Sequence, residues 1–235
     1  MKTVEFEVSK GELFCLAAIQ GFGSLLNVEY EPEESGIDLK LLFNMLTENL
    51  RNRKWLEEDF DGNMTIAKDI QAAILLCADA AQFWVVQSHV KKTTVADYIF
   101  TVYNTGSDYL TLEQLDNENY KGFLTSDLNT VKNNLFAKTP YAEAEYKYES
   151  IPSGEIVAVI ADEKYTLINA SMYRAQAEAN DRILVCYDSN MLLFLENGGS
   201  YVLNVSEDDQ GIFFPITQSD YNEKINSIFS GGEGV

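Results

Sequence analysis

The sequence predicts an α+β fold, in which a pseudo-twofold repeat of antiparallel β-sheet is flanked by helices. The first observation behind this prediction is an internal echo: SDLNTVKNNLF at 126–136 and SDYNEKINSIF at 219–229 share five residues at identical spacing. Each copy begins with polar side chains of the kind that cap helices and continues with apolar residues at helical spacing. The second observation is that short strand-like segments, separated by turn residues, precede each copy. The shared order of elements indicates a duplicated unit.

The predicted duplication gives one globular domain of two similar halves, at about 1–138 and 139–229, followed by a flexible tail at 230–235. Upstream of the echo, DGNMTI at 61 aligns with DEKYTL at 162, an offset of 101, whereas the echo has an offset of 93. We assign most of the eight-residue difference to LDNENYKG at 115–122, as a loop extension of the first half. Such extensions often carry function, although a tolerated insertion would look the same.

The individual elements follow from hydrophobic periodicity and turn residues. In the first half we predict helices after the N-cap Ser9, over 37–51 and from 65 or 66 to about 81. Strands are predicted at 4–8, from 83, on both sides of a turn at 104–108, and at 123–124. In the second half we predict a strand at 154–161, a helix at 166–179, and four strands beginning at 182, 191, 201 and 212.

The composition indicates a globular, acidic protein of the cytoplasm. Hydrophobic residues make up 46% of the chain, and 37 acidic residues against 17 Lys and Arg give a net charge of −20. This charge repels phosphate backbones and anionic membranes, which argues against nucleic-acid binding. Cys15, Cys77 and Cys186 lie in apolar runs without metal or disulfide spacing, so we predict buried thiols in a reducing compartment. The N-terminus has no apolar signal core, and the apolar run at 70–86 falls short of a membrane span.

The sequence contains no pattern that points to catalysis, a cofactor or a metal, and we predict a non-enzymatic protein. With Gly62 at position six of a calcium loop, position twelve is Lys68, where such a loop requires a bidentate carboxylate. The segment EEDFDGN is therefore predicted to form a turn. His89 is the only histidine and has no partners at zinc or nucleophile spacing, so we expect a structural or exposed position at a strand end. A hydrolase that uses His89 stays open as an alternative.

Aromatic side chains on the predicted strands are the candidates for binding a partner. Because a strand alternates its side chains between two faces, some of these aromatics must lie away from the core or at a concave junction. With polar residues of the segment 115–122 as a rim, they would form a patch suited to a helical protein partner. Core packing is the competing interpretation for each residue. The candidates are Tyr98, Phe100, Tyr103, Tyr109, Asn117, Asn119, Tyr120, Phe213 and Phe214.

Two passages carry a family resemblance, together with the repeated unit that a C-terminal helix closes. VEFEVSKGELFCLAAIQGFGSL at 4–25 and LLFNMLTENLRNRKWLEEDFDGN at 41–63 resemble the EspG-like chaperones of type VII (ESX) secretion, as in a distant relative from a Gram-positive bacterium. The resemblance covers nearly the whole chain by pattern, without an invariant motif. It implies a cytosolic, non-enzymatic chaperone that binds a helical secretion substrate of the WXG/LXG or PE/PPE kind and keeps it soluble for export. The acidic, tyrosine-rich character departs from the family pattern.

The acidic balance leaves a second class of function open. An immunity protein or antitoxin would use an acidic surface to mask the basic active site of a toxin. Such a complex would weaken steeply as salt rises, which distinguishes it from a chaperone that covers apolar surface.

Overall fold

The computed structural model describes residues 3–91, 98–136, 146–162, 164–178, 181–205 and 211–229. Its strands are β1 (Val4–Ser9), β2 (Leu56–Glu58), β3 (Met64–Ile66), β4 (Gln82–Lys91), β5 (Tyr98–Asn104), β6 (Tyr109–Gln114), β7 (Asn119–Thr125), β8 (Ile151–Pro152), β9 (Tyr165–Glu178), β10 (Asp181–Leu195), β11 (Gly199–Val205) and β12 (Gly211–Pro215). Its helices are α1 (Lys10–Ile19), α2 (Leu39–Asn52), α3 (Lys68–Asp79), α4 (Leu128–Phe136), α5 (Ile156–Val159) and α6 (Gln218–Phe229), with 3-10 turns at Pro32–Ser35 and Ser153–Glu155.

Ten of these strands form one antiparallel sheet, which confirms the predicted α+β class with flanking helices. Their hydrogen-bonded order is β1-β7-β6-β5-β4-β9-β10-β11-β12-β8, and β2 with β3 forms a separate hairpin. The order contains one pattern twice. The consecutive strands β4 to β7 lie side by side with the earlier strand β1 next to β7, and β9 to β12 lie side by side with the earlier strand β8 next to β12. A helix follows each set, α4 after β7 and α6 after β12. The topology thus repeats, whereas duplication of the sequence itself stays a prediction.

By its contacts the chain divides into two compact units. Unit 1 comprises Met1–Phe83, Phe100–Leu128 and Arg174–Ile183, and unit 2 comprises Trp84–Ile99, Asn129–Tyr173 and Leu184–Val235. These bounds do not follow the predicted halves, since β4, β9 and β10 each belong partly to both units. The single-domain organisation stays a prediction, and the predicted tail at 230–235 lies outside the described residues.

In unit 1, β1 and the capped helix α1 form as predicted. Ser9 Oγ accepts a hydrogen bond from the Glu12 backbone at 3.1 Å, and the Glu12 carboxylate accepts one from Ser9 N at 3.0 Å. This reciprocal pair is a capping box. The Glu12 oxygens also lie 3.1 and 3.0 Å from Arg53 Nη1, and the Arg53 guanidinium stacks 3.5 Å above the Trp55 ring. The end of α2 is thereby attached to the start of α1.

The helix α3 packs on α1 and β6 and carries much of the unit 1 core. Ile70, Ile74 and Cys77 recur at helical spacing and are buried. α3 begins at Lys68, later than predicted, because 64–66 pair with 56–58 as strand β3. A residue hydrogen-bonded in a hairpin ladder cannot also start a helix, so the pairing decides the boundary.

In unit 2, a buried cluster lies on one face of β10, β11 and β12. It consists of Ile151, Ile160, Leu193, Leu195, Tyr201 and Phe213. The Tyr201 hydroxyl accepts a hydrogen bond from Tyr148 N at 3.1 Å and donates one to the Gly198 carbonyl at 2.9 Å. On β10 the opposite face is also covered, since Phe194 packs edge-on against Tyr221 of α6 with centroids 5.7 Å apart. Both helix and sheet contacts thus bury this end of the sheet.

Three predictions that involve the segment 154–179 are wrong. The segment 166–179 is not a helix, since β9 covers Tyr165–Glu178, and its buried apolar residues Ile168, Ala170 and Met172 alternate as in a strand. The alignment of 61 with 162 fails for the same reason, because it sets α3 against β9. The predicted strand at 154–161 is a 3-10 turn followed by α5, an ambiguity that periodicity alone does not resolve for a short apolar run.

The predicted strands beginning at 182 and 191 are one continuous strand, β10. Ser189 and Asn190, which precede the second predicted strand, do not form a turn. Instead Ser189 Oγ donates to Asn169 Oδ1 of the neighbouring β9 at 3.0 Å, and Asn190 Nδ2 donates to Asp188 at 2.9 Å. Cys186 lies on β10 and is exposed, like Leu184 and Tyr187 beside it, so the prediction of a buried thiol is wrong there and confirmed for Cys15 and Cys77.

Candidate functional site

Four of the predicted partner-binding residues are buried in the core. Phe100, Tyr103, Tyr120 and Phe213 are 7% exposed or less. Tyr103 donates a hydrogen bond to the Leu26 carbonyl at 2.5 Å, and burial raises the pKa of this phenol well above its ordinary value. A buried side chain cannot contact a partner without opening its surroundings, so burial favours the competing interpretation, core packing, for these four.

The other candidates are at least partly accessible, and for them binding stays a prediction. Phe214 is 41% exposed on β12 in unit 2, opposite in direction to the buried Phe213 beside it. Tyr98 and Tyr109 are half-buried, and Asn117 is exposed. The Asn119 amide donates to the Asp116 carboxylate at 3.1 and 3.0 Å, a bond that shapes the turn.

The segment 115–122 is a tight turn and a strand, not a loop extension. Asp116 Oδ1 accepts hydrogen bonds from Glu118 N and Asn119 N, each at 2.7 Å, which closes the turn between β6 and β7. Gly122 lies within β7, where it pairs with Phe6 and leaves room for that ring. Only residues 115–118 separate β6 from β7, so the predicted long loop is a short turn.

The segment EEDFDGN forms the turn that was predicted, here between β2 and β3. Asp59 accepts hydrogen bonds from Asp61 N and Asn63 N at 2.9 Å and from the Asn63 side-chain amide at 2.9 Å. The Asn63 amide, followed by these backbone donors, holds the pKa of Asp59 below its ordinary value. His89 is exposed on β4, as expected. Within the described ranges, no three His, Cys, Asp or Glu side chains come together as metal ligands.

A cleft of about 290 Å³ lies between α3 and the turn that joins β5 to β6. We call it the acidic cleft. Its floor is apolar, formed by Leu76 and Leu124, which are 3% and 0% exposed. Leu75 and Ala72 form the helical wall, and Asp79 stands at the end of α3. The opposite wall is Thr105 and Asp108 of the turn. An apolar floor between two carboxylates suits an amphipathic ligand.

A second cleft, of about 410 Å³, lies on the other side of α3, and we call it the amide cleft. Its apolar lining includes Ile19, Phe22 and Met64, and its polar lining includes Gln20 and Gln71. Gln20 Nε2 is buried and makes no hydrogen bond within the described part of the chain. Leu75 borders both clefts and is 46% exposed, so it forms an apolar ridge between them. Both clefts are open to solvent, a shape suited to a protein surface.

These cleft residues were missed in the sequence, although a signal for them was present. Ile70, Ile74 and Cys77 already supply the core stripe of α3, so the additional Leu75 makes the helix apolar on a face that should be polar. A large apolar residue on the solvent-exposed face of an amphipathic helix indicates a protein-binding surface.

Comparison with known proteins identifies the fold. The chain is similar to the Mycobacterium tuberculosis type VII secretion system chaperone EspG5, whose structure is solved in complex with the PE25-PPE41 dimer. The similarity covers 99% of this chain and 98% of that one, with a TM-score of 0.61 and 7% sequence identity. The fold is EspG-like. No protein-family model matches the chain, and no curated protein matches it in sequence.

No helix within the described residues has both the length and the apolar character to cross a membrane. The apolar run at 70–86 is divided between α3 and β4.

Proposed function

We propose that this chain is a non-enzymatic, cytoplasmic chaperone or adaptor that binds a helical substrate of a type VII secretion system, of the WXG/LXG or PE/PPE kind, and keeps it soluble for export. The observation that carries the proposal is the end-to-end similarity of its fold to a secretion chaperone of that class. The similarity covers 99% of the chain and therefore extends over both compact units.

The surface of unit 1 supports the same proposal. A helical hairpin that travels alone exposes an apolar tip, which aggregates unless another surface covers it. The ridge at Leu75, with a cleft on each side, offers apolar area with a polar rim, which is the composition of a transient protein interface. A net charge of −20 would keep the complex in solution by repulsion between complexes.

Co-expression with small helical proteins encoded beside this chain tests the proposal. We expect one of them to be soluble and to co-purify with the chain, and to be insoluble without it. An unrelated helical hairpin of equal length serves as the control and should gain no solubility. If every candidate stays equally soluble in the absence of the chain, the chaperone function is wrong.

The net charge favours one other function, the immunity protein or antitoxin class. In that case the partner would be a toxin with a basic active site, and affinity would fall steeply with salt. A growth assay with a neighbouring toxin gene distinguishes the two functions: protection of the cells supports the immunity protein, and its absence together with co-purified secretion substrate supports the chaperone.

A further inference from the structure

Resting on the proposed chaperone function, we propose that the acidic cleft binds one apolar side chain of the partner together with a Lys or Arg on the same helical face. The cleft would thus select, within a helical partner, an apolar residue and a cation four residues apart. Residues at this spacing lie next to each other on a helix.

The apolar part of this specificity follows from the walls of the cleft. Ala72 is small, so the space above Leu76 and Leu124 is open, and Leu75 rises beside it. A leucine-sized side chain in this space would contact Leu75, Leu76 and Leu124, and its apolar surface would be removed from water. Removal of such a side chain from water favours binding, because the hydrophobic effect is proportional to the apolar area that is buried. The volume of about 290 Å³ is at the lower end of small-molecule sites, which fits a single anchoring side chain.

The cationic part follows from the charges around the rim. Asp79 and Asp108 both line the cleft, Asp79 at the end of α3 and Asp108 in the turn between β5 and β6. Asp79 is also the last residue of α3, whose C-terminal carbonyls add negative partial charge, and the last turn of α3 contains no basic residue. Two carboxylates and a helix C-terminus therefore act on the same space, and each of them favours a positive group.

The same charges argue against other occupants. A phosphate or a nucleic acid would meet Asp79 and Asp108 and be repelled. A second copy of this chain carries the same net charge of −20, so self-association through an acidic rim is disfavoured. A partner with a basic residue beside its apolar tip is the occupant that the cleft fits.

A peptide titration followed by ¹⁵N NMR of the chain tests the assignment. The probe is an Ala/Gln helical peptide that carries Leu and Arg four residues apart, and the matched peptide has Glu in place of Arg. We expect the Leu/Arg peptide to shift the amide signals of α3 and of the turn at 105–108. The Leu/Glu peptide should bind about fivefold more weakly, which is the affinity ratio that corresponds to an exposed ion pair of roughly 1 kcal/mol. Equal affinities, or shifts elsewhere, would overturn the proposal.

Variants of the chain separate this inference from the proposed function. The double change Asp79→Asn and Asp108→Asn should weaken the Leu/Arg peptide about fivefold. Asp69→Asn, on the same helix but outside the cleft, should change it less than twofold. If the double variant still binds a co-purified secretion substrate with unchanged affinity, the inference fails and the chaperone function stands. If the peptide binds as expected but no substrate co-purifies, the chaperone function fails and the cleft assignment stands.

Discussion

Arg53 makes three interactions that together hold one corner of unit 1. Its Nη1 contacts the Glu12 carboxylate, its other terminal nitrogen donates to the Glu7 carbonyl, and its plane stacks on Trp55. The Glu12 side chain is only 9% exposed and forms an ion pair with Arg53 at 3.0 Å. Arg51 is four-tenths exposed and pairs with the equally exposed Glu58, without a stacked ring. The two arginines therefore allow a matched comparison.

We expect Arg53→Ala to lower the free energy of unfolding by about 1.5–3 kcal/mol, because it leaves the nearly buried Glu12 carboxylate without its charged donor. Arg51→Ala should cost less than about 1 kcal/mol, since exposed ion pairs contribute little. Urea unfolding followed by circular dichroism measures both. A loss for Arg53→Ala no larger than that for Arg51→Ala would contradict the role assigned to the Glu12 contact.

The buried thiols predict a loss of stability at alkaline pH. Burial, and to a smaller extent the charge of Glu12, raises the pKa of Cys15 to about 11, whereas an unfolded thiol ionises near ~8.5. Between these two pKa values the folded chain holds more protons than the unfolded chain. The contribution of Cys15 to stability is therefore fully present below pH ~8.5 and is lost as the pH rises to about 11. We expect the urea midpoint to fall over this range.

The variant Cys15→Ala should flatten this fall, and Cys186→Ala should leave it unchanged, because Cys186 is exposed. The difference between the two variants removes the contribution of the other titrating groups. A fall of equal steepness in both would show that the Cys15 thiol does not ionise differently in the folded chain.

At the scale of elements, sequence predicted the first half better than the second. The N-cap Ser9 predicts the start of α1. The spacing of Leu42, Leu46 and Leu50 predicts α2. Both signals are local in sequence. The segment of β9 contains Ala, Met, Arg, Gln and Glu, which favour helix in isolation. Pairing with neighbouring strands overrides that preference, and pairing involves residues distant in sequence. The acidic cleft was missed for the same reason, since α3 and the turn at 105–108 meet only in the fold.

The two copies of the echo begin their helices differently. α4 begins at Leu128, two residues after Ser126, whereas α6 begins at Gln218, one residue before Ser219. In α6 the cap is Thr217, whose hydroxyl accepts from Asp220 N at 3.2 Å while its own N and hydroxyl lie 3.3 and 2.8 Å from the Asp220 carboxylate. The residue that caps this helix therefore precedes the echo, whose first polar residues, Ser219 and Asp220, lie inside the first turn.

Substitution at the two positions tests this assignment. Thr217→Ala should lower the free energy of unfolding by about 1 kcal/mol, the usual cost of losing an N-cap side chain. Ser219→Ala, inside the first turn, should change it by less than about 0.5 kcal/mol. Thermal unfolding of both variants gives the comparison, and a larger loss for Ser219→Ala would restore the original interpretation of the echo.

At the scale of the whole molecule, the net charge of −20 opposes compaction. We expect the melting temperature to rise as NaCl increases from about 0.01 to 0.1 M, which shortens the screening length from about 30 to 10 Å. A variant with amides at four exposed acids, Glu33, Glu48, Glu57 and Asp61, should show a smaller rise. A melting temperature that is independent of salt in both proteins would mean that the surface charges are too far apart to interact.

The strand order has a consequence for how this protein behaves when concentrated. Both ends of the ten-stranded sheet present backbone groups that could template fibril growth. At one end β1 carries Glu5 and Glu7, both exposed. At the other end β8 is two residues long and one of them is Pro152, which has no N–H to offer. Addition of a further strand, and with it amyloid-like stacking, is therefore disfavoured at either end of the strand order.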